Sequence, residues 1–372
     1  MSLVRWGGSE YLWYGTAKEL LKRGFAVYAR TSPWRPPPDE ILELAGAGAR
    51  VSFDASTLSF PLRLVRRLYP AWMDDRQRRR AERWVKSIKT PNVVVSCGSL
   101  RDDFSRLVYL ADSGIPYGVI VHTAAPEIWP FDQAIRDIER VLTEARRVFF
   151  VSEYGREDAK QCIGQSLPNS ELVRNPINML DGCAMREAAT FPDLNDGLRV
   201  ACAARLLVEQ KGQDLLLRTM ALPKWRARRI TLTLYGEGPQ SNVLQNVARY
   251  LELTNVAFSG HVSDIRDIWS KHHLGILPSR YEGMPLSLIE AMTFARANIV
   301  TRVGGVEEII TDNETGFVAP APTVEALDEA LERAWRRRDE LKAIGMRAAE
   351  RIHSVFPSNP CRTFADRLLE IF

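Results

Sequence analysis

Short apolar runs alternate with helix-like periodic segments along the whole chain, in two series of similar number and spacing. Such alternation argues for parallel sheets wrapped by helices. The first series predicts strands at Phe25–Ala29, Arg50–Phe53, Asn92–Ser96, Tyr117–His122, Arg147–Val151 and Glu171–Arg174. The second predicts them at Leu198–Ala204, Ile230–Tyr235, Val256–Phe258, His273–Pro278, Ala297–Thr301 and Gly316–Val318. Between the series, Asn175-Pro176-Ile177-Asn178 and a polar, irregular stretch to Gly197 read as an interdomain connection. At 372 residues the chain is long for one hydrophobic core and comfortable for two domains. The expected class is α/β, with one domain over 1–178, a second over 179–355 and a closing helix over 356–372. Open parallel sheets bind ligands outside the carboxyl ends of their strands, so two facing domains would create a cleft lined by the loops that follow strands.

The bulk numbers exclude several classes. Hydrophobic content of 45% and charged content of 26% are those of a soluble globular protein. A formal charge of +4 does not demand a polyanion, and no nucleic-acid partner is expected. Cys97, Cys162, Cys183, Cys202 and Cys361 are odd in number, scattered and never in C-x-x-C spacing, which indicates neither a disulfide framework nor a zinc site. Met1 to Tyr14 hold glycines and Glu10 where a secretory peptide needs an apolar core, and no run of about 18 apolar residues occurs. A cytoplasmic location is the expectation.

Chemistry concentrates in Ser279-Arg280-Tyr281-Glu282-Gly283-Met284-Pro285-Leu286-Ser287-Leu288-Ile289-Glu290-Ala291-Met292, where an E-x7-E spacing straddles a Gly-x-Pro turn that opens a helix. Pro285 suits the first helical position, and the free amides after it make that helix end a ready anion site. Glu290 lies between Leu288, Ile289, Ala291 and Met292, so it is expected to turn inward, where a carboxylate needs donors such as a sugar diol, a cation or backbone amides. Arg205 and Lys211 follow the predicted strand Leu198–Ala204, and Lys211-Gly212 precedes the helical run Gln213 to Met220. Two cations at a strand end could hold a diphosphate, Arg205 bidentately and Lys211 as a point charge; solvated loop residues are the competing account. Glycine turns after strands at Gly236-Glu237-Gly238-Pro239, Ser259-Gly260-His261 and Gly304-Gly305 permit close approach of a ligand, and are equally ordinary strand-to-helix turns.

Arg205 with Lys211-Gly212-Gln213-Asp214, Gly236-Glu237-Gly238-Pro239, the pair Glu282 and Glu290, and Gly304-Gly305 with Glu308 together resemble the retaining GT-B glycosyltransferases of glycosyltransferase family 4. The likeness covers nearly the whole chain; the E-x7-E alone is weak, the ordered set specific. It implies two Rossmann-like domains, a nucleotide diphosphate sugar donor held mainly by the second, an acceptor hydroxyl, retention of configuration, and no metal or other cofactor. Arg205 and Lys211 would hold the donor diphosphate, Glu282 would face the donor sugar, and Glu290 would accept from the ribose hydroxyls. Amides of Gly283, Met284 and Leu286 around Pro285 would reach sugar and phosphate, while Gly236, Glu237 and Val262 would line the base. In the first domain, Gly7-Gly8-Ser9-Glu10 resembles the family's glycine loop, with Gly8 at the phosphate, although a capping turn with Ser9 starting the helix competes. His122 matches a position beside sugar and acceptor. The resemblance leaves two alternatives open: an epimerase of the same fold, and a non-catalytic scaffold.

The match weakens at the start, where only Met1 to Trp6 precede Gly7 while the family has a complete apolar strand. Either an in-frame segment lies upstream or the first sheet has a gap. Asp74 to Lys89 is a helix candidate with Arg76, Arg79, Arg80, Arg83 and Lys86 on one arc and Ala81, Trp84, Val85 and Ile88 on another, preceded by Arg63, Arg66, Arg67, Tyr69 and Trp72. Two readings stay open for it: peripheral contact with anionic membrane, or an apolar arc packed on the first sheet. Phe364, Leu368, Leu369 and Phe372 give Pro360–Phe372 an apolar face that must dock, either back across the first domain or beside its own.

Overall fold

The structure is a computed structural model, and it describes every residue except 1–5, 32–33, 35, 54–69, 90, 125–128 and 178–188, with the side chains of 70–77 also left aside. The chain forms two compact units, Met1–Pro176 with Asn359–Phe372, and Ile177–Ser358.

In the first unit, β1 (Tyr28–Thr31) pairs in parallel with β2 (Arg50–Phe53) as a separate two-stranded sheet. A four-stranded parallel sheet follows in the order β3 (Val93–Ser99), β4 (Tyr117–Thr123), β5 (Arg147–Phe150), β6 (Ser170–Leu172). Tyr117 to His122 are all buried in β4, as expected of a strand covered on both faces. The segment ahead of Gly7 lies, but for Trp6, outside the described residues. Trp6 itself packs edge-on against Tyr11, Trp13 and Tyr14 at 5.5–5.8 Å between ring centres.

The C-terminal helix Pro360–Ile371 belongs to this first unit, where it packs on the helix Gly8–Lys22. Gly15 makes the close approach: a Cβ there would stand 2.4 Å from Cys361 Sγ. Phe364 meets Phe149 edge-on at 4.8 Å, and Arg367 grips Glu171 through Nε and Nη2 at 3.0 and 2.9 Å. The apolar stripe of this helix and its cation on β6 thus dock it together.

The basic helix runs Pro70–Lys86, starting earlier than the pattern predicts. Val85 is buried and Ala81 packs on the first core, whereas Arg79, Arg80, Arg83 and Lys86 are exposed. Arg63, Arg66, Arg67 and Tyr69, with the side chains of Trp72 and Arg76, lie outside the described residues, as does Cys183.

The second unit carries one six-stranded parallel sheet of β7 (Leu198–Ala203), β8 (Ile230–Tyr235), β9 (Val256–Gly260), β10 (Leu274–Leu277), β11 (Ala297–Thr301) and β12 (Phe317–Ala319). Their order across the sheet is β12-β11-β10-β7-β8-β9, the doubly wound arrangement. The order reverses between β7 and β10, so the loops leaving these two strands open on the topological switch point. Every strand predicted from the apolar runs is present, with ends shifted by a few residues at most.

Candidate active site

The candidate residues of the second unit follow the carboxyl ends of neighbouring strands. Arg205 and Lys211 come after β7, Gly236 and Glu237 after β8, Glu282 after β10, and Gly304 after β11. After β7, a short helix Val208–Lys211 breaks at Gly212, whose φ of +64° starts a second helix, Gln213–Met220. A Cβ on Gly212 would lie 2.0 Å from the carbonyl oxygen of Pro278, so the break rests directly on the end of β10 and only glycine fits. Gln213 Nε2 donates to the Arg205 carbonyl at 2.8 Å, holding that turn from inside.

Arg280 and Asp214 lock the two loops together. The guanidinium of Arg280 donates to both carboxylate oxygens of Asp214 at 2.8 and 2.9 Å and to the Val208 carbonyl at 2.7 Å, while its amide donates to Gln210 O at 2.7 Å. Asp214 in turn raises the Arg280 pKa. Such a planar, bidentate pair fixes orientation as well as distance. Its result is a contact across 71 residues of sequence: Lys211 Nζ donates to Glu282 Oε1 at 2.6 Å. Ser279 Oγ donates to the same oxygen at 2.8 Å, and Thr301 Oγ1 donates to the Ser279 carbonyl. Glu282 is 5% exposed, so this carboxylate is nearly sealed by its partners.

The glycine turns carry a second finding. Gly304, with φ +57°, leaves room for the Glu282 carbonyl, which a Cβ would meet at 2.3 Å, and Gly305 N donates to Gly283 O at 2.7 Å. Backbone of the protein itself occupies the space that glycine opens here. At the base-side turn, Gly236 N donates to Gly260 O at 2.6 Å, Leu206 N donates to Glu237 O at 3.1 Å, and Val262 packs against the cluster of Ala201, Trp269, Ala291 and Phe294. These bonds draw the loops after β7, β8 and β9 together.

Pro285 is the N-cap of the helix Leu286–Thr293 and not its first residue, a correction of one position. Its extended ψ of 114° delivers the chain into the helix, and Leu288 N donates to its carbonyl. Among the described residues the two amides before that, of Leu286 and Ser287, have neither an intrahelical acceptor nor a side-chain cap. Met284 is buried beneath this turn. Glu290 is partly buried on the same helix, and among the described residues no donor reaches its carboxylate. Burial without donors pushes its pKa up to about 7. Because the folded state then holds the proton more tightly than the unfolded chain does, this group's contribution to stability declines as pH rises from about 4.5 to about 7. Glu290→Gln is therefore expected to stabilise the ligand-free protein by about 1–3 kcal/mol at pH ~8 and to change little at pH ~4.5. Thermal melts at the two pH values test it; equal stability at pH ~8 would show that the carboxylate is well solvated.

In the first unit, the helix Gly8–Lys22 has Gly7 as its N-cap, so Gly8 is the first helical residue and Ser9 does not start the helix. Glu10 closes this end: its Oε2 accepts from Gly7 N at 3.1 Å and from Ser9 Oγ at 2.8 Å. His122, on β4, is 5% exposed, with Nε2 3.0 Å from Ser96 Oγ. Among the described residues, its buried Nδ1 and the buried Oδ1 of Asn175 make no well-aligned hydrogen bond, although the Asn175 side chain lies close enough to act on the ring. Burial pushes the His122 pKa down to about 4, with Asn175 opposing the shift, so the imidazole is neutral at physiological pH. No group of His, Cys, Asp and Glu that could hold a metal occurs among the described residues.

Comparison with known proteins agrees with this arrangement. Residues 6–179 match the family described as Glycosyltransferase Family 4, and residues 197–337 match the one described as Glycosyl transferases group 1. A GDP-mannose-dependent phosphatidylinositol monomannoside mannosyltransferase of Mycolicibacterium smegmatis is 28% identical over 63% of this chain and 64% of its own length. Glycogen synthase 2 of Nitrosococcus oceani is 32% identical over 38% of this chain and 33% of its own. An exopolysaccharide phosphotransferase of Streptomyces coelicolor is 28% identical over 54% of this chain and 21% of its own. The chain thus spans less than two thirds of these curated relatives. Among solved structures, Anabaena HepE in complex with UDP-glucose has a TM-score of 0.74 at 16% identity, covering 99% of this chain and 97% of that one. The lipopolysaccharide outer core galactosyltransferase WaaB has a TM-score of 0.68 at 15% identity, covering 99% and 97%. At such identities the structures speak for the fold, which is GT-B. The two family matches take in one unit each, and the chain belongs to the group 1 glycosyltransferases of family 4.

Proposed function

We propose that the protein transfers a sugar from a nucleoside diphosphate donor to an acceptor hydroxyl, with retention of configuration and without a metal, in the synthesis of a polysaccharide or glycolipid. The contact of Lys211 with Glu282 at the switch point carries this reading, because it sets a cation for phosphate beside a carboxylate for sugar hydroxyls. Solved structures of the same fold at low identity hold UDP or UDP-glucose, which supports a nucleotide sugar as donor. Arg205, Lys211 and the uncapped amides at Leu286 stabilise charge on the departing diphosphate. Gly8, at the start of its helix, adds an amide to phosphate. Glu282 orients the transferred sugar, Glu290 accepts from the ribose diol, and Gly236, Glu237 and Val262 line the base, with amides of Gly283 and Met284 reaching sugar hydroxyls and phosphate. His122, neutral, serves as a hydrogen-bonding group toward sugar and acceptor.

A thermal-shift panel of nucleoside diphosphates and their sugars tests the reading. A saturating donor, at about a hundred times its Kd, should add about 2.7 kcal/mol of stability, and stabilisation by none of them would overturn it. The anomeric configuration of the product, read by NMR, decides retention.

The exposed Arg79, Arg80, Arg83 and Lys86 support peripheral contact with anionic lipid at the cytoplasmic face. No helix among the described residues is long and apolar enough to cross a membrane. Flotation with phosphatidylserine vesicles at low salt is the expected outcome, and absence of binding there would end the idea.

A further inference from the structure

We propose that Glu282 and the donor diphosphate compete for Lys211, so that this site holds a nucleotide carrying its sugar in preference to the bare nucleoside diphosphate. The inference rests on the function proposed above and adds to it a means of product release. Lys211 is engaged by a carboxylate: its ammonium lies 2.6 Å from Glu282 Oε1, with side-chain exposures of 18% and 7%. An anion that draws on Lys211 must share it with, or take it from, a carboxylate that has one other donor among the described residues, Ser279 Oγ. A buried carboxylate left with fewer donors, beside a new negative charge, is unfavourable on both counts.

The sugar changes that balance. Its hydroxyls bring donors to the carboxylate at the moment the diphosphate draws on the ammonium, so the intact donor satisfies both partners of the opened pair. Once the sugar has left with the acceptor, the diphosphate remains against a carboxylate deprived of those donors. Re-forming the Lys211–Glu282 pair then favours departure of the nucleotide. The Arg280–Asp214 clamp holds both loops, and with them the spacing of the pair.

Calorimetric titration with uridine, guanosine and adenosine diphosphates, and with the glucose or mannose derivative of whichever binds, provides the test. Wild type should bind the sugar nucleotide more tightly than the bare diphosphate. Glu282→Gln, which keeps the shape and removes the charge, should bind the bare diphosphate about tenfold more tightly than wild type and lose the discrimination. A residue that only contacted the sugar, or only supported the loop, would not strengthen binding of a sugar-free ligand when removed. Ser279→Ala keeps the acid and deletes its other donor, so its affinity for the bare diphosphate should fall. Unchanged or weaker binding by Glu282→Gln, or stronger binding by Ser279→Ala, overturns the competition while leaving the proposed function standing. Failure of wild type to bind any nucleotide overturns both.

Discussion

Lys211→Ala should lower kcat/KM for sugar transfer by about a thousandfold. Gly212 lets its loop rest on Pro278 and Arg280 grips Asp214, and these contacts hold the ammonium at the switch point. Removing a charge that meets the leaving diphosphate weakens ground-state binding, and it weakens the transition state more, since negative charge grows there as the glycosidic bond breaks. The same truncation strips Glu282 of its ion partner and leaves Ser279 to hold a carboxylate that is 5% exposed. That should destabilise the fold by about 1–3 kcal/mol. Adding Glu282→Gln to Lys211→Ala removes the orphaned charge, so the double variant should regain stability without regaining activity. Steady-state kinetics with the accepted donor, beside melting curves for both proteins, make the measurement. A folded Lys211→Ala protein with unchanged kcat/KM would take this residue out of the mechanism.

The largest structural effect is expected at Arg296. This side chain is 1% exposed and has no carboxylate partner among the described residues; it is held by backbone carbonyls and lies over the Phe191 ring, 5.1 Å from its centre. Nε donates to Trp269 and His272 at 2.8 Å, Nη1 to Phe294 at 2.9 Å and Ala295 at 3.2 Å, and Nη2 to Ala189 at 3.1 Å and Thr190 at 2.6 Å. His272 and Phe294 cap the C-termini of the helices Ile265–Lys271 and Leu286–Thr293, so one cation closes two helix ends where their dipoles favour positive charge. Burial lowers its pKa to about 10, which still leaves it charged at neutral pH. Arg296→Met fills similar volume but abandons these carbonyls in an enclosed place, and should cost the second unit about 3–5 kcal/mol. Denaturant unfolding followed by the fluorescence of the buried Trp225 and Trp269 would report it. A loss below about 1 kcal/mol would mean that water replaces the guanidinium at little cost.

The positions of the strands were legible because apolar runs of that length, broken by glycine and polar turns, have few other uses. Ile230–Tyr235 and Ala297–Thr301 agree to the residue. The helix after Pro285 was legible for the same local reason, although the cap fell one residue away, since an extended ψ at Pro285 puts it outside the helix. The inward Glu290 followed from its apolar neighbours. Arg280, Asp214 and Arg296 were not legible as ties. Arg280 is one more basic loop residue by composition, and Arg296 precedes a strand with no acid nearby to announce a buried cation. Their partners are backbone carbonyls and a carboxylate 66 residues away, which no local pattern encodes.

Sequence alone determined the α/β class, the two series of strands, and the kinds of group available for a phosphate and a polyol. These depend on periodicity and side-chain chemistry, which act within a few residues. Tertiary structure decided that β7 and β10 adjoin, that Lys211 therefore reaches Glu282, and that the C-terminal helix returns to the first unit. Strand order is set by which faces pack across crossovers, and the decisive contacts join residues that the chain keeps far apart.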